Sequence, residues 1–209
     1  MEQVNRPLLI AITGGIASGK SLVSHWFEER GFAVVYADII GHNILEKSQV
    51  INSLYEKFGS EIIAEGKISR KKLGEFVFAD AEKLRFLNNL MHPLIRAEMK
   101  AIAENSSEKY LFYEIPLLFE NGLADKFDLI INVFTDKETK IARMKVRDGI
   151  DKKSAEQRIA AQMPDYLKKE RADINIENNS EVENVFRQLE AMEIYLPKFK
   201  KKEISTLAD

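Results

Sequence analysis

The sequence of 209 residues contains no cysteine. This absence excludes a disulfide framework, a thiolate metal site and a cysteine nucleophile. The chain also lacks an excess of basic residues, because 31 Lys and Arg stand against 33 Asp and Glu. Such a balance is unlike the strongly basic footprint of a dedicated nucleic-acid-binding protein, so we expect no nucleic-acid partner.

The N-terminal region has no long apolar run. The run at residues 8–12 is too short for the hydrophobic part of a signal peptide or for a membrane span, and no cleavage-site pattern follows it. We therefore expect a soluble, cytoplasmic protein without a membrane partner. Hydrophobic residues make up 45% of the chain, which is enough to build a packed core.

What the sequence does contain is the stretch ITGGIASGKS, in which residues 14–21 match the pattern G-x-x-x-x-G-K-S. A strand-like run precedes it and helical spacing follows it, which is the context of a phosphate-binding loop. In such a loop, Lys20 reaches the β- and γ-phosphates of a nucleotide, and the Ser21 hydroxyl coordinates Mg²⁺. The alternative is a glycine-rich turn without a ligand. The candidate nucleotide-binding residues are Gly14, Gly15, Ala17, Ser18, Gly19, Lys20, Ser21 and Leu22.

Strand-like and helical segments alternate along the chain, which predicts an α/β fold with a doubly wound parallel sheet. We expect strands at residues 8–12, 32–36, 110–115, 129–134 and 173–176. Residues 39–105 carry little strand signal and are predicted to form a helical insertion, in which Pro93 opens or kinks a helix after His92. Residues 137–163 have helical spacing and are rich in Arg and Lys.

Three functional classes share such a loop. A GTP-dependent switch normally carries an Asp-x-x-Gly motif and an Asn-Lys-x-Asp motif. Asp38-Ile39-Ile40-Gly41 matches the first but follows Lys20 too closely for that role, and the chain contains no Asn-Lys-x-Asp. This class is therefore disfavoured. An ATPase motor is disfavoured, because Glu114 ends an apolar strand without a second acidic residue. A small-molecule kinase needs an acid near the acceptor hydroxyl, an acceptor pocket and mobile cations. Candidates are Asp38 after the second strand, the insertion, and Arg143 and Arg147 on one helical face.

Four further segments follow the loop along the chain: Ala37-Asp38, H-P-L-I at residues 92–95, P-L-L-F-E at residues 116–120, and residues 173–179. Together with the loop and Arg143 and Arg147, they resemble the dephospho-CoA kinase family over nearly the whole chain. The resemblance implies a P-loop kinase-like, three-layer α/β/α fold in a single domain, residues 1–209. Its core spans about 6–38, 108–136 and 172–197, its acceptor-binding insertion about 39–105 and its helical lid about 137–171.

The resemblance also implies an activity: transfer of a phosphoryl group from ATP, with Mg²⁺, to the ribose 3′-hydroxyl of dephospho-CoA in the last step of coenzyme A synthesis. The implied catalytic residues are Asp38, Lys20 and Arg147. On the ATP side, Arg143, Arg147 and Asn178 join the loop, and Ser21 holds the metal. On the acceptor side the implied residues are Asp38, His42, His92, Pro93, Leu117, Leu118, Phe119 and Glu120.

The chain departs from the family pattern at four positions. Ala17 replaces a glycine, which stiffens the loop unless the φ angle there is already negative. Tyr36 replaces the first acid of D-A-D, His42 stands where arginine is common, and Ser180 replaces a glycine. None of these changes removes a group that phosphoryl transfer requires.

Other interpretations of the single residues remain open. His92 is equally consistent with a helix cap, and Asp38 with a cap of the helix that follows it. The segment 116–119 is also consistent with a purely structural role in the core. Arg143 and Arg147 are also consistent with a solvated helix face. We expect Lys168, Lys169 and Arg171 to be solvated. At the level of the whole chain, the alternatives are a kinase for another nucleotide or small alcohol and a silent nucleotide-sensing protein. We expect a monomer or a small homo-oligomer.

Overall fold

The computed structural model of the protein describes residues 6–64, 66–202 and 207. The described residues form two compact units, one made of residues 6–36 and 105–202 and the other made mainly of residues 37–104. The bounds of the second unit agree within two residues with the predicted insertion. The assignment of the whole chain to one domain, and of residues 137–171 to a lid, stays a prediction.

The first unit contains a parallel sheet of five strands, in the order β2-β5-β1-β6-β7. The predicted parallel sheet is confirmed. β1 lies at its centre and pairs with β5 on one side and β6 on the other, so that Ile10 is opposite both Phe112 and Leu129. The strands are β1 (Leu8–Gly14), β2 (Ala33–Tyr36), β5 (Tyr110–Glu114), β6 (Leu129–Phe134) and β7 (Ile174–Glu177).

Helices flank this sheet. All seven residues of β1 are buried, which explains its continuous apolar sequence. On one face Phe112 stacks on Phe27, with 4.1 Å between ring centroids, in a core that also includes Val185 and Leu189. Neighbouring strand residues alternate between faces, and Tyr113 packs on Phe127 instead. The helices of this unit are α1 (Lys20–Glu29), α6 (Lys137–Asp148), α7 (Lys152–Ala160), α8 (Asp165–Arg171) and α9 (Val182–Tyr195).

The second unit is mostly helical, as predicted. Its buried residues include Ile40, Ile44, Leu54, Val77 and Met99. It also contains a short antiparallel hairpin that the sequence analysis did not predict, since strands of two residues are too short to show alternation. Its elements are α2 (Ala37–Leu45), α3 (Ser48–Phe58), β3 (Ile63–Ala64), β4 (Lys67–Ile68), α4 (Arg70–Phe78) and α5 (Ala81–Glu104).

The prediction for Pro93 was wrong in one respect. α5 begins at Ala81 and continues through Pro93 to Glu104, so the proline does not open a helix. For the same reason His92 lies in the interior of a helix and does not cap one. A proline in a helix removes one backbone hydrogen bond, and the burial of Met91, Met99 and Ala103 along α5 offsets that loss.

Candidate active site

The phosphate loop connects β1 to α1, and two of its glycines are required by its geometry. Gly14 has φ +151°, and a Cβ there would lie 2.1 Å from the carbonyl oxygen of Val133. Gly19 has φ +96°, and a Cβ there would lie 2.0 Å from Nδ2 of Asn178. Neither position accepts a side chain, so both glycines are fixed by the close approach of β6 and of the segment after β7.

Ala17 stands between these glycines and has φ +57°. Among the described residues it is the one non-glycine with a positive φ. Because this φ angle is positive, the predicted stiffening of the loop by Ala17 applies. The left-handed conformation costs an L-residue about 1–2 kcal/mol, so the loop holds Ala17 in an unfavourable conformation.

Lys20 is the first residue of α1 and folds back over the loop. Its Nζ donates to the carbonyl oxygens of Gly14 and Gly15, at 3.0 and 3.2 Å. The N–H of Ser18 also donates to the Gly15 oxygen, at 3.2 Å. The loop therefore holds the ammonium group of Lys20 beside the N-terminus of α1, where the partial positive charge of the helix also favours an anion.

Three oxygen-bearing side chains meet behind the loop. Glu114 ends β5 and is 9% exposed, and its carboxylate accepts from Ser24 Oγ at 2.6 Å and from Ser21 Oγ at 3.3 Å. Glu114 was not predicted to belong to this site. The signal was available, because an acidic residue at the end of a buried apolar strand is placed next to the loop of the neighbouring strand.

This donor set fits Mg²⁺. Magnesium prefers oxygen ligands, keeps several waters and needs only one or two protein groups beside the phosphates. The Ser21 hydroxyl and the Glu114 carboxylate supply oxygen donors 3.3 Å apart. Among residues 6–64, 66–202 and 207, no group of three or more His, Cys, Asp or Glu side chains is placed to hold a metal by itself.

Arg143 and Asn178 support the loop from the far side. Arg143 Nη1 donates to the carbonyl oxygens of Ala17 and Ser18, at 3.2 and 3.4 Å, and Nη2 donates to Asn178 O and Oδ1. Asn178 is 4% exposed, and its Nδ2 donates to Ser18 O at 2.8 Å. Both side chains therefore lie on the loop. The predicted contact of Asn178 with ATP stays a prediction.

Arg147, one turn further along α6, is placed differently. Its guanidinium forms a two-pronged pair with Asp148, at 2.8 and 2.9 Å, and its side chain is 61% exposed. The Asp148 pair raises the pKa of Arg147, so the group carries its charge throughout the physiological range. Its predicted catalytic role stays a prediction, because in this arrangement Arg147 contacts Asp148 and not the loop.

A half-buried ion pair lies next to the loop at Gly15. Lys140 of α6 is 1% exposed and pairs with Asp165 at the start of α8. A Cβ on Gly15 would come within 2.8 Å of Lys140 Nζ. Next to this pair, the N–H of Ile16 donates to Gln162 Oε1 at 2.7 Å. No role was predicted for Lys140, Asp165 or Gln162, since their relation to the loop depends on packing between distant segments.

The segment 117–120 divides between core and surface. Leu118 and Phe119 are 0% and 4% exposed, whereas Leu117 is 38% exposed. The acceptor contact predicted for the four residues stays a prediction, and the burial places Leu118 and Phe119 in supporting positions.

Glu120 contacts two residues of the segment that is predicted to form the lid. It pairs with Lys168 at 2.8 Å and accepts from the N–H of Met163 at 3.0 Å. Burial raises the pKa of Glu120, but the bonds from Lys168 and Met163 outweigh it and hold the pKa below its usual value. The expectation that Lys168 is solvated was wrong, because its side chain is fully buried. A buried ammonium group is stable here because it has a carboxylate partner.

The second unit holds the acceptor-side candidates. Asp38 is exposed and lies in the first turn of α2, two residues after β2 ends. His42, one turn later, is approached by Arg70, whose Nη1 lies 2.9 Å from Nδ1 and 2.7 Å from Nε2. Arg70 begins α4 and thus brings a permanent cation to His42. Both residues line a cavity of about 480 Å³, together with Leu45, Glu46, Ile51, Lys67 and Ile68.

His92 and Arg96 lie one turn apart on α5. Burial, with a further contribution from the charge of Arg96, lowers the pKa of His92 below its usual value. The Nε of Arg96 is buried and has no hydrogen-bond partner among the described residues. Buried polar groups are rarely left unpaired, so Arg96 joins His92 as a candidate. Its signal was its position four residues after His92, on the same helical face. Pro93 is exposed.

Comparison with known proteins decides the family. A sequence profile of the dephospho-CoA kinase family matches residues 8–184. The chain belongs to the dephospho-CoA kinase family. The dephospho-CoA kinase of Fusobacterium nucleatum is 42% identical over 185 residues, which cover 88% of this chain and 95% of that protein.

Solved structures agree with this assignment. A Thermus thermophilus protein superposes with a TM-score of 0.82 and 30% identity, over 91% of this chain and 98% of that one. A dephospho-CoA kinase from Campylobacter jejuni has a TM-score of 0.70 and 30% identity, over 92% and 98%. The predicted P-loop kinase-like fold is confirmed.

As a dephospho-CoA kinase family member, the chain is an ATP-dependent kinase of coenzyme A biosynthesis. The predicted enzyme class, a phosphotransferase, is confirmed, and no finding favours a silent sensor or a kinase for another acceptor. None of the described helices is long and apolar enough to span a membrane.

Proposed function

We propose that the enzyme transfers the γ-phosphoryl group of ATP to the 3′-hydroxyl of the ribose of dephospho-CoA, giving coenzyme A and ADP. The observation that carries this proposal is the phosphate loop, in which Lys20 and the N-terminus of α1 lie together beside Ser21 and Glu114. In the reaction the acceptor oxygen forms a bond to the γ-phosphorus, and the bond from that phosphorus to ADP breaks.

On the donor side, the loop N–H groups and Lys20 bind the β- and γ-phosphates. Ser21 and Glu114 would hold Mg²⁺, directly or through water, and that ion supplies charge neutralisation between the two phosphates. Lys20 already lies 3.0 Å from the Gly14 oxygen, so it needs to exchange a carbonyl partner for a phosphate oxygen. Because these groups are held before substrate arrives, little reorganisation is required.

On the acceptor side, we assign Asp38 to the 3′-hydroxyl. It follows β2, whose carboxyl end lies at the same sheet edge as that of β1, because the strands are parallel. A carboxylate there orients the hydroxyl group and accepts its proton as the new bond forms. The position of Asp38 inside α2 disfavours a purely capping role, since the helix begins one residue before it.

The rest of the acceptor is assigned to the second unit. Dephospho-CoA carries a diphosphate and a long pantetheine arm, so it needs cations together with apolar surface. The cavity lined by His42, Arg70 and Lys67 offers both, because Leu45, Ile51 and Ile68 complete its lining. His92, Pro93 and Arg96 of α5 are assigned to the same substrate.

Arg143 and Arg147 are assigned separate roles. Arg143 donates to loop carbonyls and fixes the loop conformation. Arg147 is assigned to the charge that develops on the transferring phosphoryl group, which requires that it exchange Asp148 for phosphate oxygens. A cytoplasmic location and a monomeric or small homo-oligomeric state complete the proposal.

The test is a panel of acceptors with ATP and Mg²⁺. ADP release is expected to depend on dephospho-CoA and to be far weaker with AMP, CMP, shikimate or uridine. A higher kcat/KM with AMP or CMP would overturn the acceptor assignment. ADP release that is independent of any acceptor would indicate hydrolysis and overturn transfer itself.

A further inference from the structure

The contact between Ile16 and Gln162 joins the phosphate loop to a segment almost 150 residues later in the chain. Gln162 lies between α7 and α8, and its Oε1 accepts from the Ile16 N–H at 2.7 Å. A backbone N–H is only a donor, so the atom that it contacts must be the carboxamide oxygen. The orientation of the Gln162 side chain is therefore determined.

This orientation leaves a donor group directed away from Ile16. Gln162 is partly exposed, and within residues 6–64, 66–202 and 207 its Nε2 has no hydrogen-bond partner. A primary amide carries two N–H donors on that nitrogen. The loop thus holds one end of the carboxamide and leaves the other end with two donors for a ligand.

The position of Gln162 along the loop indicates which part of a nucleotide it meets. Lys20 Nζ, the group that reaches the β- and γ-phosphates in such loops, lies at the carbonyl oxygens of Gly14 and Gly15. Ile16 is the next residue. Gln162 is therefore placed at the part of the loop where the terminal phosphate binds.

The segment that carries Gln162 is also fixed to the loop on its other side. Asp165, three residues further, pairs with Lys140, whose Nζ would lie 2.8 Å from a Cβ on Gly15. The ammonium group of Lys140 is buried, whereas the Asp165 carboxylate is 32% exposed, so one partner of this pair is held inside the protein and the other lies at its surface. Two contacts therefore hold Gln162 in place before the nucleotide binds.

We propose that Gln162 is a further catalytic residue, whose Nε2 donates a hydrogen bond to the γ-phosphoryl oxygens during transfer. A pre-oriented neutral donor stabilises charge that spreads onto these oxygens in the transition state. The inference rests on the proposed function, because it requires ATP at the loop. The alternative is a structural latch, in which Gln162 only holds its own segment against Ile16 through Oε1.

Two substitutions separate a donor from a latch. Gln162→Glu keeps an oxygen that accepts from the Ile16 N–H but removes both Nε2 donors and adds a negative charge next to the phosphates. Gln162→Met has a similar length and removes acceptor and donors together. We expect both variants to lower kcat by about 10²-fold, the range for loss of one pre-oriented donor. Gln162→Glu should be the more impaired variant and should also raise KM for ATP.

The matched control is Gln157→Glu, the same chemical change on the exposed face of α7. It should leave kcat, KM and Tm unchanged. Thermal unfolding of each variant is recorded with the kinetics, and Gln162→Glu, which keeps the Oε1 contact, carries the conclusion if Gln162→Met does not fold.

A latch predicts the opposite order. The charge added by Gln162→Glu would then raise KM for ATP but leave kcat at saturating ATP within a few-fold of the original enzyme, and Gln162→Met would lose stability; either that pattern or an unchanged kcat in both variants overturns the inference. Failure of the proposed function is distinguishable, because the unsubstituted enzyme would then show no ADP release that depends on dephospho-CoA.

Discussion

The phosphate loop and the acceptor-side candidates of the second unit are built in different ways. In the loop, Lys20, Arg143, Asn178 and Gln162 all bond to backbone groups within residues 14–18. In the second unit, Asp38, His42 and Arg70 are exposed, and His42 and Arg70 contact each other across the wall of an open cavity. The loop is therefore pre-organised, whereas the proposed acceptor side presents exposed polar and charged side chains.

This difference has an energetic consequence. A pre-organised site stabilises the transition state without ordering its own groups at that moment, so substitutions there should act on kcat. Exposed side chains each lose up to about 1.5 kcal/mol of conformational freedom when a ligand orders them. Substitutions on the cavity wall should therefore act mainly on KM for the acceptor.

The largest effect is expected at Asp38, which is assigned to the proton of the acceptor hydroxyl. Asp38→Asn keeps the shape and a hydrogen bond but cannot accept a proton. Positioned proton transfer contributes about 10²–10⁴-fold, so we expect kcat to fall within that range. ATP affinity, measured by titration calorimetry, should be unchanged.

The control for Asp38 is Glu82→Gln, because Glu82 is likewise an acidic residue in the first turn of an exposed helix end. Both substitutions lose a favourable charge at a helix N-terminus, worth about 0.3–1 kcal/mol of stability. If Asp38→Asn changes stability as Glu82→Gln does and leaves kcat within a few-fold of the original value, Asp38 only stabilises the N-terminus of α2. Loss of Mg²⁺-dependent ATP binding would place Asp38 near the metal instead.

The next largest effect is expected at Arg147, which shares one property with each region. Its side chain is exposed, like those of the acceptor-side candidates, but it belongs to α6, whose Arg143 supports the loop. Arg147→Ala should lower kcat by about 10²–10³-fold, the range for loss of one transition-state donor, and weaken ATP binding much less. Arg158→Ala is the matched control, since Arg158 also pairs with Asp148, at 3.6 Å. Equal losses of kcat in both variants would show that the ion pairs of Asp148 with Arg147 and Arg158 explain the effect, and not the transition-state charge.

Arg70 tests the acceptor side alone. Arg70→Ala should raise KM for dephospho-CoA by about tenfold, as expected for one lost charge-assisted hydrogen bond, and leave KM for ATP unchanged. Arg85→Ala removes another exposed cation, which pairs with Glu82 at 3.8 Å, and should change neither value. A rise in KM for ATP after Arg70→Ala would contradict the assignment of the cavity to the acceptor.

Much of the fold could be predicted from local pattern. The strand at Leu129–Phe134 matches its prediction at both ends, because a strand buried in a parallel sheet has a continuous apolar sequence. The hairpin β3–β4 and the continuity of α5 through Pro93 could not be predicted in this way. Both depend on packing inside the second unit, which outweighs local preference.

The site was predictable where function is carried by a local motif. Residues 14–21 identified the phosphate loop because its glycines and Lys20 act through their own backbone and spacing. Glu114, Lys140 and Gln162 were missed, because each reaches the loop from a segment that is distant in sequence. Burial of Lys168 was predicted wrongly for a related reason: its partner Glu120 lies 48 positions earlier.

The smallest expected effect tests how much strain the pre-organised loop contains. At Ala17, φ +57° costs about 1–2 kcal/mol in an L-residue, whereas glycine adopts it freely but loses about 0.4–1 kcal/mol through a more flexible unfolded chain. Ala17→Gly should thus be neutral or stabilising by at most about 1.6 kcal/mol, which corresponds to a rise in Tm of at most about 3–6 °C. Ala161→Gly, at φ −75°, has no strain to relieve and should lower Tm. If Ala17→Gly lowers Tm as much as Ala161→Gly, the loop is not strained at Ala17, and its rigidity comes from the contacts of Arg143 and Gln162 alone.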